Sequence, residues 1–319
     1  MATMTTISNP SMLWLFYSKT LLETLYKTLQ FYPLGEKTNL PAGMGKQAKW
    51  LRYQRLAAAT TPLTEGVPPT ETAINTYNVT ADIRQYGAYI RYSDELKLTA
   101  IDRIQGAYEV LAQQGAETLD SIIISELDGS TIPNQFANGK TSLATTGSTD
   151  VLTAKEILKS VITLKKAFVG PHTGNDYVGV IHSACSGDVQ NDTNVGSWVD
   201  LNKYIDPSKM RPFNGEMGKV YGCRLLESQN LTSTTSGTLG STTVYANYVL
   251  GSKCFGVVNL DGKSVEQFVK ETGSAGAVDP LNQVGTVGWK AVGFAAKYLG
   301  GAAVGTSDLG VRIRAGSQF

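Results

Sequence analysis

Two histidines, His172 and His182, and three cysteines, Cys185, Cys223 and Cys254, are the residues of this chain best suited to nucleophilic or metal chemistry. A hydrolase could be drawn from His182 with Cys185 or Cys223, the imidazole taking the thiol proton so that the thiolate attacks. His182, however, ends an apolar β-type run from Tyr177, where a structural histidine is the commoner occupant. His172, His182, Cys185 and Asp188 show no recognised metal-ligand spacing. The cysteines are too few and too scattered for a disulfide framework, and none forms a CxxC pair. They read as reduced, mostly buried thiols of a cytosolic assembly environment.

Phosphate chemistry fares no better. Gly139-Lys140-Thr141 resembles the end of a P-loop, but the motif needs glycine at position 134, which is Asn134, and no helix pattern follows. Gly43-Met44-Gly45-Lys46-Gln47-Ala48 fits the loose GxGxxA dinucleotide pattern, yet it follows Pro41 rather than a strand. Asp94 and Glu95 are better explained as charges at a helix start than as a general acid and base. Lys46, Lys49, Arg52 and Arg55 interleave with aromatics, which suits weak contact with a phosphate backbone but not sequence-specific readout. No catalytic, cofactor-binding or metal-binding residue is assigned.

The elements that must position these residues are those of a chain of 319 residues, enough for one elaborated domain or two modest ones. Its 28 basic and 27 acidic residues leave a net charge of +1, so no global attraction to nucleic acid or membrane follows. The distribution is uneven. Residues 1–60 carry seven Lys/Arg against two Asp/Glu, a net of +5, and residues 61–150 carry five against twelve, a net of −7. Such segments can attract within a subunit or between neighbouring subunits, or simply face water. The apolar run Met12 to Tyr17 lacks a basic flank and a cleavage site, and no stretch nears the roughly 20 apolar residues of a membrane span. The expectation is a soluble protein that is not exported.

Periodicity predicts an amphipathic helix over 11–31 with Trp14, Tyr17, Leu21 and Leu25 on one face, stopped by Pro33 and Gly35. Lys46 to Leu56 reads as a strand, 57–76 avoids regular structure, and a second strand runs from Tyr77 through to Tyr92. Together these predict an extended hairpin with a Pro/Thr tip and little core of its own, which needs a surface to lie on. Ser93 caps a long helix whose expected apolar face runs through Leu98, Leu111/Ala112, Gly115, Leu119 and Ile122 to a stop at Asp128-Gly129. Residues 153–169 predict a second helix with Ile157, Val161, Leu164 and Phe168 inward. A buried strand at 177–182, a short helix at 183–191, an ambiguous stretch at 195–204, and strands at 219–228 and 242–250 complete an α/β unit over 151–250. Strands at 264–270, 284–299 and 309–314 follow. Asp279-Pro280 marks a turn, and the glycines at 285, 288 and 293 sit where a neighbouring strand must come close.

Four blocks carry a resemblance. Thr61-Pro62-Leu63-Thr64-Glu65-Gly66, Tyr92-Ser93-Asp94-Glu95, Val180-Ile181-His182-Ser183 and Asp279 to Lys290 are similar, in this order, to segments of tailed-phage major capsid proteins with the Hong Kong 97-type fold, of the N-four-like podophage family. Ser183 departs from the proline common there. The resemblance covers nearly the whole chain and implies an α+β fold: an N-terminal arm over 1–46, an extended hairpin loop over 47–92, a peripheral domain with a spine helix over 93–150 and 251–319, and an axial domain over 151–250. It implies a non-enzymatic protein that associates with itself in hexamers and pentamers around packaged double-stranded DNA, touched non-specifically. Scaffolding, portal and decoration proteins are the further partner classes, with no membrane and no cofactor. Assembly would take place in the host cytoplasm, and the finished protein would reside in the virion. Trp14, Lys46, Lys49, Arg52, Arg55, Glu65, Asp94 and Glu95 are the expected assembly contacts. Lys46 and Lys49 lie off the hairpin tip, so covalent cross-linking is not carried over. The competing readings are a β-rich virion-surface or adhesin-type binding protein, a thiol hydrolase, and an encapsulin-like compartment shell sharing the fold.

Overall fold

The computed structural model describes residues 30–99, 103–192, 216–235, 243–260, 265–274, 279–301 and 308–319. All but the last two residues of the helix expected over 11–31, Trp14 among them, and the stretch 195–204 lie outside the described residues.

Among the described residues a 3-10 turn at Tyr32–Leu34 precedes β1 (Glu36–Leu40), β2 (Gln47–Tyr53), β3 (Thr76–Asp82) and β4 (Arg84–Ser93), then helices α1 (Asp94–Thr99) and α2 (Arg103–Gly129). It continues through β5 (Asn134–Phe136), α3 (Ala154–Lys166), β6 (Tyr177–His182), α4 (Ser183–Asn191), β7 (Glu216–Val220), β8 (Cys223–Ser228), β9 (Ser233–Thr235) and β10 (Thr243–Leu250). Last come β11 (Phe255–Leu260), β12 (Glu266–Lys270), β13 (Val284–Tyr298) and β14 (Gly310–Ala315). The chain divides into two compact units.

The first unit holds the described residues of 30–48, 81–125 and 257–296. Its sheet runs β1-β11-β13-β12, with β4 on β13. β13 is the 15-residue strand expected from the 284–299 block, introduced by a turn in which Val284 N–H donates to Asp279 Oδ2 at 2.7 Å. Its register against β4 shifts between Ala291 and Phe294, where Gly293 takes φ +76°, a value that admits the bulge at no steric penalty. On the α2 side, Leu111, Ala112, Ala116, Leu119, Ile123 and Ile124 are buried, and Gln114 Oε1 accepts the Trp289 indole N–H at 3.4 Å. The apolar stripe therefore drifts from the expected line, passing through Ile123 and Ile124, while Ile122 is half-exposed. One polar side chain sits in that stripe. Asp120, fully buried, accepts the backbone N–H groups of Gln30 at 3.0 Å and Phe31 at 3.3 Å, yet burial still pushes its carboxyl up to about 6.

The second unit holds the described residues of 49–80, 126–256 and 297–319. Its seven-stranded sheet is ordered β5-β14-β10-β6-β8-β7, with β9 also on β10. β6 and β8 run parallel, and β14 is antiparallel to β10. Ile157, Val161 and Leu164 of α3 pack into a core with Tyr177, Leu225, Val249 and Ile313. This sheet draws in β5 and β14 from outside 151–250. At its edge Asp128, the penultimate residue of α2, accepts from Tyr248 Oη at 2.6 Å, Arg312 Nη1 at 3.0 Å and Arg314 Nη2 at 3.2 Å, and from Thr232 Oγ1. Arg312 Nη1 also donates to the Asp128 carbonyl at 2.7 Å, closing off the helix end.

Three expectations need correction. The strand expected to run unbroken from Tyr77 to Tyr92 is split at Ile83: β3 pairs with β2, whereas β4 leaves the hairpin and pairs with β13. A strand that changes sheets keeps its alternation, so the sequence shows no break. The single strand expected over 219–228 is a tight hairpin, β7 and β8, turned at Tyr221 and Gly222 with φ of 47° and 78°. Two successive positive φ values make the turn that matches strand twist. Phe168 does not face inward with Ile157 and Leu164. It lies beyond the end of α3, at φ 55°, and is 72% exposed.

Candidate assembly surfaces

The hairpin is anchored along its base and free beyond it. Trp50 on β2 lies against Gly256, so closely that a Cβ there would stand 2.5 Å from the ring. Arg52 Nη1 donates to the Leu299 carbonyl at 2.5 Å, and the Arg55 guanidinium stacks 3.6 Å above the Phe168 ring. Two bonds close the neck: Gln54 N–H to the Asn75 carbonyl at 3.0 Å, and Asn75 Nδ2 to Gln54 Oε1 at 3.0 Å. Between them the chain has neither helix nor strand, and every residue from Arg55 to Thr76 is exposed. Only a turn at Thr64–Val67, with Val67 N–H on the Thr64 carbonyl at 3.1 Å, gives the tip local order. Leu63 and Val67 are 74% and 60% exposed there, beside Pro62, Pro68 and Pro69. Long loops without secondary structure are uncommon in compact proteins and are usually either functional or linker segments.

The structure spreads the sequence-predicted contact residues over both units. Lys46 and Lys49 are exposed at the hairpin base, Glu65 is exposed at the tip, and Arg52 and Arg55 are engaged within the second unit as described. Asp94 and Glu95 open α1, as their reading as helix-start charges requires. Ser93 Oγ accepts the Leu96 N–H at 3.2 Å, and the Asp94 N–H donates to the Gln283 carbonyl at 3.0 Å.

A second surface was not foreseen. On the sheet face of the first unit, Tyr89 of β4 and Phe268 of β12 flank Gly288 of β13 in cross-strand register. The next rungs are Arg91–Thr286–Lys270 and Gly87–Lys290–Glu266. Tyr89 is 67% exposed and Phe268 46%, and together with the missing side chain at Gly288 they shape a groove of about 320 Å³. The opposite face of β13, with Val287, Trp289 and Ala291, is buried. Alternation in β13 was the available signal, but β12 and β4 had to be placed on either side of it before Tyr89 and Phe268 could meet.

The thiols are placed for packing. His182 Nδ1 accepts the Ala184 N–H at 3.1 Å, capping α4, while its ring stacks on Tyr245 with centroids 4.2 Å apart. Cys185 Sγ accepts from Asn247 Nδ2 at 3.4 Å, and burial pushes the thiol up to about 12. Cys223 and Cys254 are likewise buried and raised. A thiol held protonated at neutral pH is a poor nucleophile. Among the described residues no group of His, Cys, Asp and Glu could hold a metal ion, and no helix is long and apolar enough to cross a membrane.

Residues 76–304 match the sequence profile of the family described as phage capsid protein. Among solved structures, the capsid of Ralstonia phage GP4 is similar with a TM-score of 0.73 at 14% identity, over 90% of this chain and 88% of that one. The cyanophage Pam1 capsid matches with a TM-score of 0.67 at 16% identity, over 92% of both chains. The head structure of Helicobacter pylori bacteriophage KHP40 matches with a TM-score of 0.60 at 11% identity, over 91% of both. At such identities the likeness is one of fold, the α+β arrangement of Hong Kong 97-type capsid proteins. No curated protein matches by sequence.

Proposed function

The chain belongs to the phage capsid protein family, and from that premise we propose how its parts divide the work of a major capsid protein. The seven-stranded α/β body takes the axial place at the centre of hexamers and pentamers. The first unit, with α2 and β13, takes the peripheral place. The hairpin reaches from one copy onto the next, and the closed shell of such copies encloses double-stranded DNA through non-specific contacts. The role is structural rather than catalytic, a reading supported by the three buried, protonated thiols and by a histidine occupied in capping a helix.

The observation that carries the hairpin's part is the loop between Gln54 and Asn75, exposed throughout and held only at its neck. Ordering such a loop has an entropic cost that no contact within the described chain offsets, so its apolar side chains find cover on another molecule. Negative-stain electron microscopy with light-scattering mass on the same fraction tests the proposal. Closed shells, tubes or rings of five or six copies are expected. A monomer that persists across concentration and salt, with or without a co-expressed scaffold, would overturn it in favour of a β-rich binding protein.

A further inference from the structure

Residues 317–319 lie across α4 as a strap, and one histidine sits where that strap is fastened. β14 ends at Ala315, and Gly316 still belongs to the body: its N–H donates to the Asp150 carbonyl at 2.9 Å, and it bridges to Val151. The contacts beyond it are on α4. Ser317 Oγ donates to the Ala184 carbonyl at 3.2 Å, and the Gln318 N–H donates to Asp188 Oδ1 at 3.3 Å. The Phe319 ring lies over Gly187, where a Cβ would stand 3.1 Å from it, yet Phe319 is 72% exposed. Polar contacts rather than burial hold the strap down.

Ala184 joins the strap to the helix start. Its carbonyl receives Ser317, and its N–H donates to His182 Nδ1 at 3.1 Å, the bond that caps α4. An accepting Nδ1 carries no proton, so only the neutral ring makes this bond. A protonated ring would aim an N–H at the Ala184 N–H and set a cation at the positive end of the helix. We infer that His182 is an acid-sensitive latch: with the ring neutral the first turn of α4 is capped and the strap lies on it, and with the ring protonated that turn frays and the strap leaves.

The surroundings of the ring leave the trigger to His182 itself. On β10, Tyr245 stacks on it, and Asn247 Oδ1 accepts the His182 N–H at 2.8 Å. On β8 its rung partner is Ser228, with Glu227 turned to the opposite face. On α4 stand Cys185, kept protonated by burial, and Asp188, which takes the Gln318 N–H. No neighbouring carboxylate raises the ring, and burial pulls it below the ordinary imidazole range. The cap is therefore complete above that range and is lost as pH falls through the folded value.

A nitroxide on Gln318→Cys reads the strap by its mobility, since the native thiols are buried and the substitution keeps the Gln318 backbone N–H. The label should be immobile at about pH 7.5, and its mobile fraction should rise about tenfold by about pH 5, the weight of one N-cap. His182→Asn, whose amide oxygen caps a helix without titrating, should keep the strap immobile over the whole range, and His182→Ala should leave it mobile throughout. A transition that survives unchanged in His182→Asn would assign the trigger to Asp188 or Asp120 and overturn the latch, as would a label mobile at every pH in the parent sequence. Should His182→Asn not fold, amide exchange in the unmodified protein decides. Exchange over residues 184–188 should quicken in step with strap release, and a strap that leaves while this turn stays protected would break the link through Ala184.

Discussion

In the seven-stranded sheet, β6 and β10 bury nearly every side chain, while the loop from Arg55 to Thr76 buries none. The first region draws its stability from contacts inside one copy. Asp128 gathers a helix end, two arginines, a tyrosine and a threonine into one buried network, and α3 inserts Ile157, Val161 and Leu164 below the strands. The loop has apolar residues as well, but they are Leu63, Val67 and Ile74, all more than half exposed. The difference separates two tasks that use the same physics. One region keeps a copy folded, and in the proposed function the other holds its apolar surface in reserve for a second copy.

Substitutions can set the two regions apart. The largest effect belongs to Asp128→Ala, which leaves Arg312 and Arg314 charged and largely buried without their carboxylate. Urea unfolding should show a loss of about 3–5 kcal/mol. Asp120 comes next and acts through pH. Its folded-state value, about 6, lies above its ordinary value of 3.8, so its contribution is fully present below about pH 4 and is lost as pH rises through 6. Stability should therefore fall on the order of 2–3 kcal/mol from this group between those limits, and Asp120→Asn should flatten that part of the profile. If the wild-type profile is flat there, the burial of Asp120 has been overread.

Smaller changes sharpen the contrast. Ile157→Val should cost about 0.5–1.5 kcal/mol by removing one core methylene, read by thermal denaturation. Arg55→Ala and Phe168→Ala should each cost only about 0.5–1 kcal/mol, since the cation–π pair is exposed, and the double variant should cost no more than the pair is worth. Replacing residues 56–74 with a short Gly/Ser linker should leave the melting temperature unchanged while abolishing assembly. A large drop in melting temperature would mean that the loop supports its own copy after all.

Much of the fold was legible because its signals are local. β13 with its turn at Asp279, the Ser93 cap, the Gly129 stop, and the buried faces of α3 and β6 all follow from spacing within about fifteen residues. What escaped was decided at a distance. The transfer of β4 to another sheet leaves alternation untouched, and the placement of β12 beside Gly288 depends on which strands meet. Nothing local marks Asp120, in the apolar stripe of α2, for burial: the backbone N–H groups it accepts belong to Gln30 and Phe31, 90 and 89 residues away. The assembly surface was half legible for the same reason. Glu65 and the loop around it stand out by composition, whereas the groove exists only after three strands separated in sequence are laid side by side.

The position of β14 has a consequence for timing. It lies between β5 and β10, so the α/β body cannot close its sheet until residues 310–315 have left the ribosome, some 60 residues after β10. A nascent copy broken off before that point lacks an interior strand and exposes the edge of β10, a state that proteases and chaperones handle as unfinished. A copy without β14 therefore presents an unfinished sheet, because the strands on either side of it have no other partner at that edge to close against.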